Sequence, residues 1–311
     1  MNRRFLALAG GVGGARLAAG LAGVLAPEDL TVVVNTGDDF EHLGLAISPD
    51  LDTVMYTLAG INNPEQGWGI NGESWAAMDA LKRLGGEDWF QLGDRDLATH
   101  ILRTRRLRDG ESLSAVTTDL CQRLGIRHPV VPMSDAPVRT MVTTDEGVLA
   151  FQHYFVRRRC EPRFEAIDFA GAETAGPSEA FAAALDDPAL AAILICPSNP
   201  VLSIRPILNL PGVEARLRER SVPIVAVSPF IGGKAVKGPA AKIFAELRLE
   251  TTPAGLIESY DGLLDGLVID RQDAGTTSAL PCLATDTLMR NSDDQQRLAR
   301  ETIQFALTLA S

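Results

Sequence analysis

Residues 5–16, FLALAGGVGGAR, read as a short buried strand that runs directly into a glycine loop, and residues 15–25 then have the Ala/Leu content of a helix closed by Pro27. Residues 30–34, LTVVV, supply the next strand, with the β-branched run that suits a parallel sheet covered on both faces. Strand, helix and strand make a βαβ unit. The prediction is an α/β, Rossmann-like fold with a mostly parallel sheet flanked by helices.

The same alternation returns further along the chain. Residues 192–196 precede Pro197-Ser198-Asn199-Pro200, and residues 224–227 precede Ser228-Pro229-Phe230-Ile231-Gly232-Gly233-Lys234, so polar loops again follow apolar strands. Ligands of open α/β sheets bind outside the carboxyl ends of strands, where such loops converge. Residues 266–269 read as another strand and 293–309 as a closing helix. Between 62 and 128 the pattern is helical (73–84, 96–106 and 113–124), which predicts a mainly helical insert, covering whatever binds beside it, within a single α/β domain spanning 1–311. Runs 138–143 and 148–155 around Thr144-Asp145-Glu146-Gly147 predict a β-hairpin.

The chain has 311 residues, 46% hydrophobic and 22% charged, enough for a substantial core. A net charge of -11 and a sequence pI near 4.9 argue against nucleic-acid or anionic-membrane partners, which favour a basic face. Arg157-Arg158-Arg159 is the main local exception, a solvated strand end or a phosphate contact. Cys121, Cys160, Cys196 and Cys282 have no C-x-x-C spacing, which speaks against a zinc ribbon or redox pair and for reduced thiols in the cytoplasm. The apolar run at the N-terminus is short and enters the glycine loop rather than a cleavage site, and no stretch predicts a membrane span.

Two loops carry the chemistry. Gly10-Gly11-Val12-Gly13-Gly14 lets backbone N–H groups and a helix N-terminus approach a phosphate, with Arg16 as a fork from the first turn. The third glycine of a dinucleotide fingerprint is replaced by Arg16, and no G-x-x-x-x-G-K-[ST] occurs. A tight turn alone is the plainer reading. Asn35-Thr36-Gly37-Asp38-Asp39 and Pro49-Asp50-Leu51-Asp52 bring four aspartates together, hard oxygen ligands of the kind Mg²⁺ takes alongside substrate phosphates. Asp50 and Asp52 serve equally well as N-caps of 53–58. Leu92-Gly93-Asp94-Arg95-Asp96 is an acid–base cluster before a helix containing His100, or simply a cap and an ion pair. Ser198 and Asn199 offer a hydroxyl and an amide between two prolines, and Gly232-Gly233-Lys234 and Lys237-Gly238-Pro239 offer donors to phosphate or a solvated loop.

Taken in order, the Gly10 to Arg16 loop, VVVNTGDDFEHLGLAISPDLDTVMYTL, WGINGESW, LGDRDLATHILR, PMSDAPVRT, CPSNPVLSIRPILNLPG, VSPFIGGKAVKGPA and ATDTLM cover nearly the whole chain. So arranged, the sequence resembles the 2-phospho-L-lactate transferases of coenzyme F-420 biosynthesis, and is most similar to the bacterial members that use a phosphoenolpyruvate-derived donor. The resemblance implies transfer of a phospholactyl-type group, phosphoenolpyruvyl or phospholactyl, from a guanosine diphosphate-linked donor to the ribityl hydroxyl of 7,8-didemethyl-8-hydroxy-5-deazariboflavin, with Mg²⁺ required and GMP released.

On that resemblance the metal falls to Asp38 and Asp52, with Asp50 as a further catalytic carboxylate. The nucleotide falls to Gly11, Gly13, Gly14, Arg16, Ser198, Asn199, Gly233 and Lys234, and the deazaflavin to Asp52, Asp94 and Arg95, with Trp68 and Trp75 as aromatic candidates. Some relatives carry a lysine just before the Leu-Gly-Asp-Arg-Asp stretch; this chain has Gln91, so that ammonium is not carried over. A homodimer is also implied. The competing readings are a nicotinamide-dependent oxidoreductase, disfavoured by Arg16 and the aspartate loop, and a non-catalytic nucleotide-binding regulator, which needs no paired aspartates.

Overall fold

A computed structural model describes residues 3–236, 240–275 and 278–310; Lys237-Gly238-Pro239 lies outside the described residues. Seven strands pair in parallel: β1 (Arg4–Ala9), β2 (Leu30–Val34), β3 (Val130–Pro132), β4 (Leu190–Ile195), β5 (Ile224–Val227), β6 (Gly266–Asp270) and β7 (Cys282–Thr285). Their spatial order is β7-β6-β5-β4-β1-β2-β3. The chain winds outward from β1 to one side and from β4 to the other, so the order reverses between these two neighbours. The α/β, Rossmann-like expectation is met, with every pair of this sheet parallel.

Alternate residues of the strands enter two apolar clusters, one on each face. Leu6, Leu8, Val33, Ile193 and Ile195 join the first, while Phe5, Ala7, Ala9, Val32, Val34, Ala192 and Leu194 join the second. Burial on both faces is why 5–9 is an unbroken apolar run.

The longer helices are α1 (Gly11–Ala22), α2 (Pro49–Leu58), α3 (Ala76–Arg83), α4 (Asp96–Arg108), α5 (Leu113–Arg123) and α6 (Ser292–Leu309). α1 and α6 approach so closely that a Cβ on Gly20 would sit 2.3 Å from the carbonyl oxygen of Gln295. α1 begins at Gly11, four residues before the predicted 15, because helical geometry follows at once when β1 ends. The three helices α3, α4 and α5 occupy the 62–128 region as expected.

The hairpin exists but is shorter than predicted. Gly147–Ala150 pairs with Arg139–Thr144, which also pairs with Phe164–Ala170 in a three-stranded antiparallel sheet. From Phe151 the chain turns helical, and His153–Arg157 forms a π-turn. The Phe151 and Phe155 rings stack 5.4 Å apart at 7°, a contact between residues four apart that an extended strand, rising more than 3 Å per residue, cannot make. The four cysteines are free thiols, and no helix among the described residues is long and apolar enough to cross a membrane.

Candidate active site

Beyond the carboxyl ends of β1 and β4 opens a cleft of about 570 Å³, a size that suits a substantial organic ligand. Its wall includes Gly11, Gly13, Arg16, Asp38, Asp50, Asp52, Ser198 and Asn199, so eight of the residues singled out from sequence meet there.

Most of the glycines are needed by packing. A Cβ on Gly13 would lie 2.2 Å from the Pro197 carbonyl oxygen, one on Gly14 2.5 Å from Ser198 Oγ, and one on Gly10 2.5 Å from Asp50 Oδ2. Gly11 differs: its φ is 64°, and a Cβ there would meet open space. Its N–H donates to Asp50 Oδ1 at 2.8 Å, so the glycine loop is held by an aspartate. Helix geometry leaves the N–H groups of the first turn without intrahelical partners, and Val12 and Gly13 of that turn line the cleft. Gly14, pressed against Ser198, does not.

Asp50 also accepts from Asn35 Nδ2 at 3.0 Å, while Asn35 Oδ1 accepts the Gly37 N–H at 2.8 Å. One amide therefore ties the loop after β2 to the first turn of α2. Asp38 and Asp39, on that loop, are buried as well; Asp39 accepts from the Ser48 hydroxyl at 2.7 Å, and its Oδ1 is buried without a partner. Burial, reinforced by the neighbouring Asp50 charge, pushes the Asp38 carboxyl far above the usual range. Burial likewise raises Asp39 to about 7 and Asp50 to about 6. Crowded, buried carboxylates with an orphaned oxygen fit a hard divalent cation, which would take the negative charge that burial penalises.

Asp52, whose charge also acts on Asp39, has a cationic partner of its own. Arg103, buried in α4, meets both of its oxygens, with Nη1 at 3.0 Å from Oδ2 and Nη2 against Oδ1. The Asp50 charge acts on Asp38, whereas Asp52, the other residue of the expected Asp38/Asp52 pair, carries an arginine on its oxygens. Asp96, His100 and Arg103 share one face of α4: His100 Nδ1 lies 3.3 Å from Arg103 Nη1, and the Tyr56 hydroxyl donates to Asp96 at 2.6 Å. Burial alone would raise Asp96, but His100, Tyr56 and Arg103 outweigh it and hold the carboxyl below its ordinary value.

Asn199 Oδ1 accepts from the N–H groups of Val201 and Leu202, at 3.0 and 3.1 Å, and caps the π-turn Pro200–Ile204. That fixes the amide, leaving Nδ2 buried without a partner. Arg16 Nη1 donates to the Met289 carbonyl at 3.0 Å. At the mouth, Trp68, Trp89, Phe90, Phe151 and Phe155 form an aromatic wall; Trp89 meets His153 edge-on at 4.8 Å, and the Arg157 guanidinium lies 5.9 Å from its ring centre.

Four expected residues are used elsewhere. Asp94 accepts the Ser74 hydroxyl and the N–H groups of Ala76 and Ala77, capping α3, and these bonds lower its pKa. Arg95 donates its N–H to Glu73 and its guanidinium to the Asn71 carbonyl. Gly233 gives its N–H to Asp273, and Lys234 is exposed on a two-residue strand. None of the four lines the cleft, and Trp75 packs instead beside Ile47, Met78 and Leu92.

Sequence reasoning passed over Tyr56, Trp89, Gln152 and Arg103. The signal for Arg103 was present: Asp96, His100 and Arg103 fall at i, i+4 and i+7, one helical face.

Known proteins match this sequence over most of its length. Residues 5–306 match the family model described as 2-phospho-L-lactate transferase CofD. A phosphoenolpyruvate transferase of Streptomyces griseus is 42% identical over 314 residues, covering 97% of this chain and 98% of that protein. A 2-phospho-L-lactate transferase of Methanopyrus kandleri is also 42% identical, covering 98% of each. Among solved structures, a UPF0052 family protein from Bacillus halodurans shares the fold with a TM-score of 0.62 at 13% identity, covering 97% of this chain and 99% of its own.

Proposed function

The chain belongs to the 2-phospho-L-lactate transferase CofD family and is a transferase; on that premise we propose that it moves a phospholactyl-type group, phosphoenolpyruvyl or phospholactyl, from a guanosine diphosphate-linked donor to the ribityl hydroxyl of 7,8-didemethyl-8-hydroxy-5-deazariboflavin. The acceptor oxygen forms a bond to the phosphorus bearing the three-carbon acid, the bond to GMP breaks, and the hydroxyl proton leaves, so the product is a phosphodiester. The observation that carries this reading is the meeting, in one cleft, of the glycine turn, the Ser198–Asn199 loop and the Asp38/Asp50 carboxylates.

The diphosphate lies over the first turn of α1, where Val12 and Gly13 face the cleft and Arg16 adds a cation. Asn199, which lines the cleft, has in Nδ2 an unpartnered donor for the same ligand. Asp38 and Asp50 would hold Mg²⁺, which would neutralise phosphoryl charge. Asp52, fixed by Arg103, accepts a hydrogen bond from the acceptor hydroxyl and so orients it. The aromatic wall of Trp89, Phe90, Phe151 and Phe155 offers ring faces to the planar deazaflavin.

Incubation with each donor, the deazaflavin and Mg²⁺, followed by mass analysis, tests the proposal. A phosphodiester product with stoichiometric GMP supports it, and the product mass identifies the three-carbon acid. Donor hydrolysis without any acceptor adduct would sink it.

A further inference from the structure

Asp52, Asp96 and His100 each bring one potential ligand atom within 4.8 Å of the others, an arrangement able to hold a divalent metal. All three line the cleft. His100 is 1% exposed, and its Nε2 lies 3.2 Å from Asp96 Oδ2 but off the axis of a hydrogen bond. A fixed cation already stands against two of the three. Arg103, also 1% exposed, sets Nη1 3.0 Å from Asp52 Oδ2 and 3.3 Å from His100 Nδ1, and places Nη2 on Asp52 Oδ1.

A guanidinium is charged at every working pH and does not exchange with solvent ions. A divalent ion sharing Asp52 with it would face a fixed like charge a few ångströms away with little water to screen it. We propose that Arg103 is a built-in cation standing where a second divalent ion would otherwise bind, so that the cleft takes an exchangeable ion on the Asp38/Asp50 side alone. Arg103 does not line the cleft and acts through its neighbours, as a positioning residue. By setting a positive charge against both oxygens of Asp52 it disfavours a second cation on that carboxylate while leaving lone pairs free to accept the substrate hydroxyl.

The test is an ion count. Wild type, His100→Ala, Arg103→Lys, Arg103→Ala and the double variant Arg103→Ala/His100→Ala are titrated with Co²⁺ by calorimetry, and the visible spectrum reports nitrogen ligation. The expected result is one additional Co²⁺ per chain in Arg103→Ala relative to wild type, with a nitrogen-ligated spectrum. The extra ion disappears in the double variant and never appears in Arg103→Lys. An unchanged count in an Arg103→Ala protein of wild-type circular dichroism overturns the proposal, as does a wild-type ion that is lost with His100→Ala. Should Arg103→Ala fold only with Co²⁺ present, the ion is replacing the missing charge and the proposal stands. Should it fold in neither condition, Arg103→Gln, which keeps the side-chain volume, is judged by the same count.

The role in turnover rests on the proposed reaction, whereas the increment in bound ions does not, so the two can fail separately. In the activity arm Arg103→Ala loses about 10²-fold in kcat, as misplacement of a catalytic group predicts, and recovers part of it as Co²⁺ fills the vacated position.

Discussion

The hydroxyl of Ser198 accepts a hydrogen bond from the backbone N–H of Gly10 at 3.0 Å, joining the ends of β1 and β4 where the strand order reverses. The glycine turn owes its shape to this neighbouring loop. Ser198→Ala should leave a buried N–H unpaired and cost about 1–3 kcal/mol, read as a lowered denaturation midpoint. Gly13→Ala should be worse, because its Cβ would meet the Pro197 carbonyl, which is backbone and cannot swing aside. A Gly13→Ala protein of wild-type stability and turnover would refute the packing account.

Asp38 lies buried beside Asp50 in a setting that penalises its charge. Asp38→Asn is therefore expected to raise the melting temperature of the metal-free protein while abolishing the further rise that Mg²⁺ produces. Turnover should fall on the order of 10²–10³-fold, the scale for loss of a group that stabilises developing charge. Calorimetry with and without Mg²⁺ checks both halves; retention of the Mg²⁺ response would exclude Asp38 as a ligand.

Asp94 caps α3 rather than facing the cleft. In Asp94→Ala, amide exchange should speed up selectively across Ala76–Arg83, while the KM for the acceptor stays within about twofold, the scatter of surface substitutions. A large rise in KM with unaltered exchange would return Asp94 to the binding site.

His42 sits among Phe40, Trp89 and Phe90, with Nε2 buried and unpartnered. Burial lowers its pKa; Glu87 opposes and His153 adds to the effect. A folded-state pKa below the unfolded one means that the contribution to stability is whole above about 6.5, the unfolded value, and is lost as pH falls toward the folded value. His42→Phe should flatten that acid limb. Melting curves between pH 8 and 5 that superimpose in slope for wild type and variant would show that His42 is not responsible.

The parts of the molecule legible in sequence were those governed by local pattern. The buried strands announced themselves as unbroken apolar runs, and 30–34 and 224–227 were placed to the residue. Residues 151–155 read as strand because Phe and Tyr favour strands, yet the stacking of Phe151 on Phe155 made a helical turn the better solution. In the site, clustered aspartates were visible but their partition was not. Which carboxylate meets which partner depends on Arg103, fifty-one residues beyond Asp52, in a helix whose several arginines resemble an ordinary solvated face. Asp94 shows the opposite case: a carboxylate just before one helix in sequence, whose hydrogen-bond partners lie at the start of a different helix.

Among the described residues that line the cleft, Asp38, Asp50, Asp52 and Asp96 face Arg16 as the lone permanent cation. A polyanion entering such a wall is repelled unless a counter-ion enters with it, and a divalent ion left alone lacks the phosphate oxygens that would complete its shell. On the proposed reaction, nucleotide and metal would form a heterotropic pair, each tightening the other by the same factor, as thermodynamic reciprocity demands. Saturation by either one would then be set by the concentration of the other, and in a cell the magnesium level would act as a throttle on donor capture.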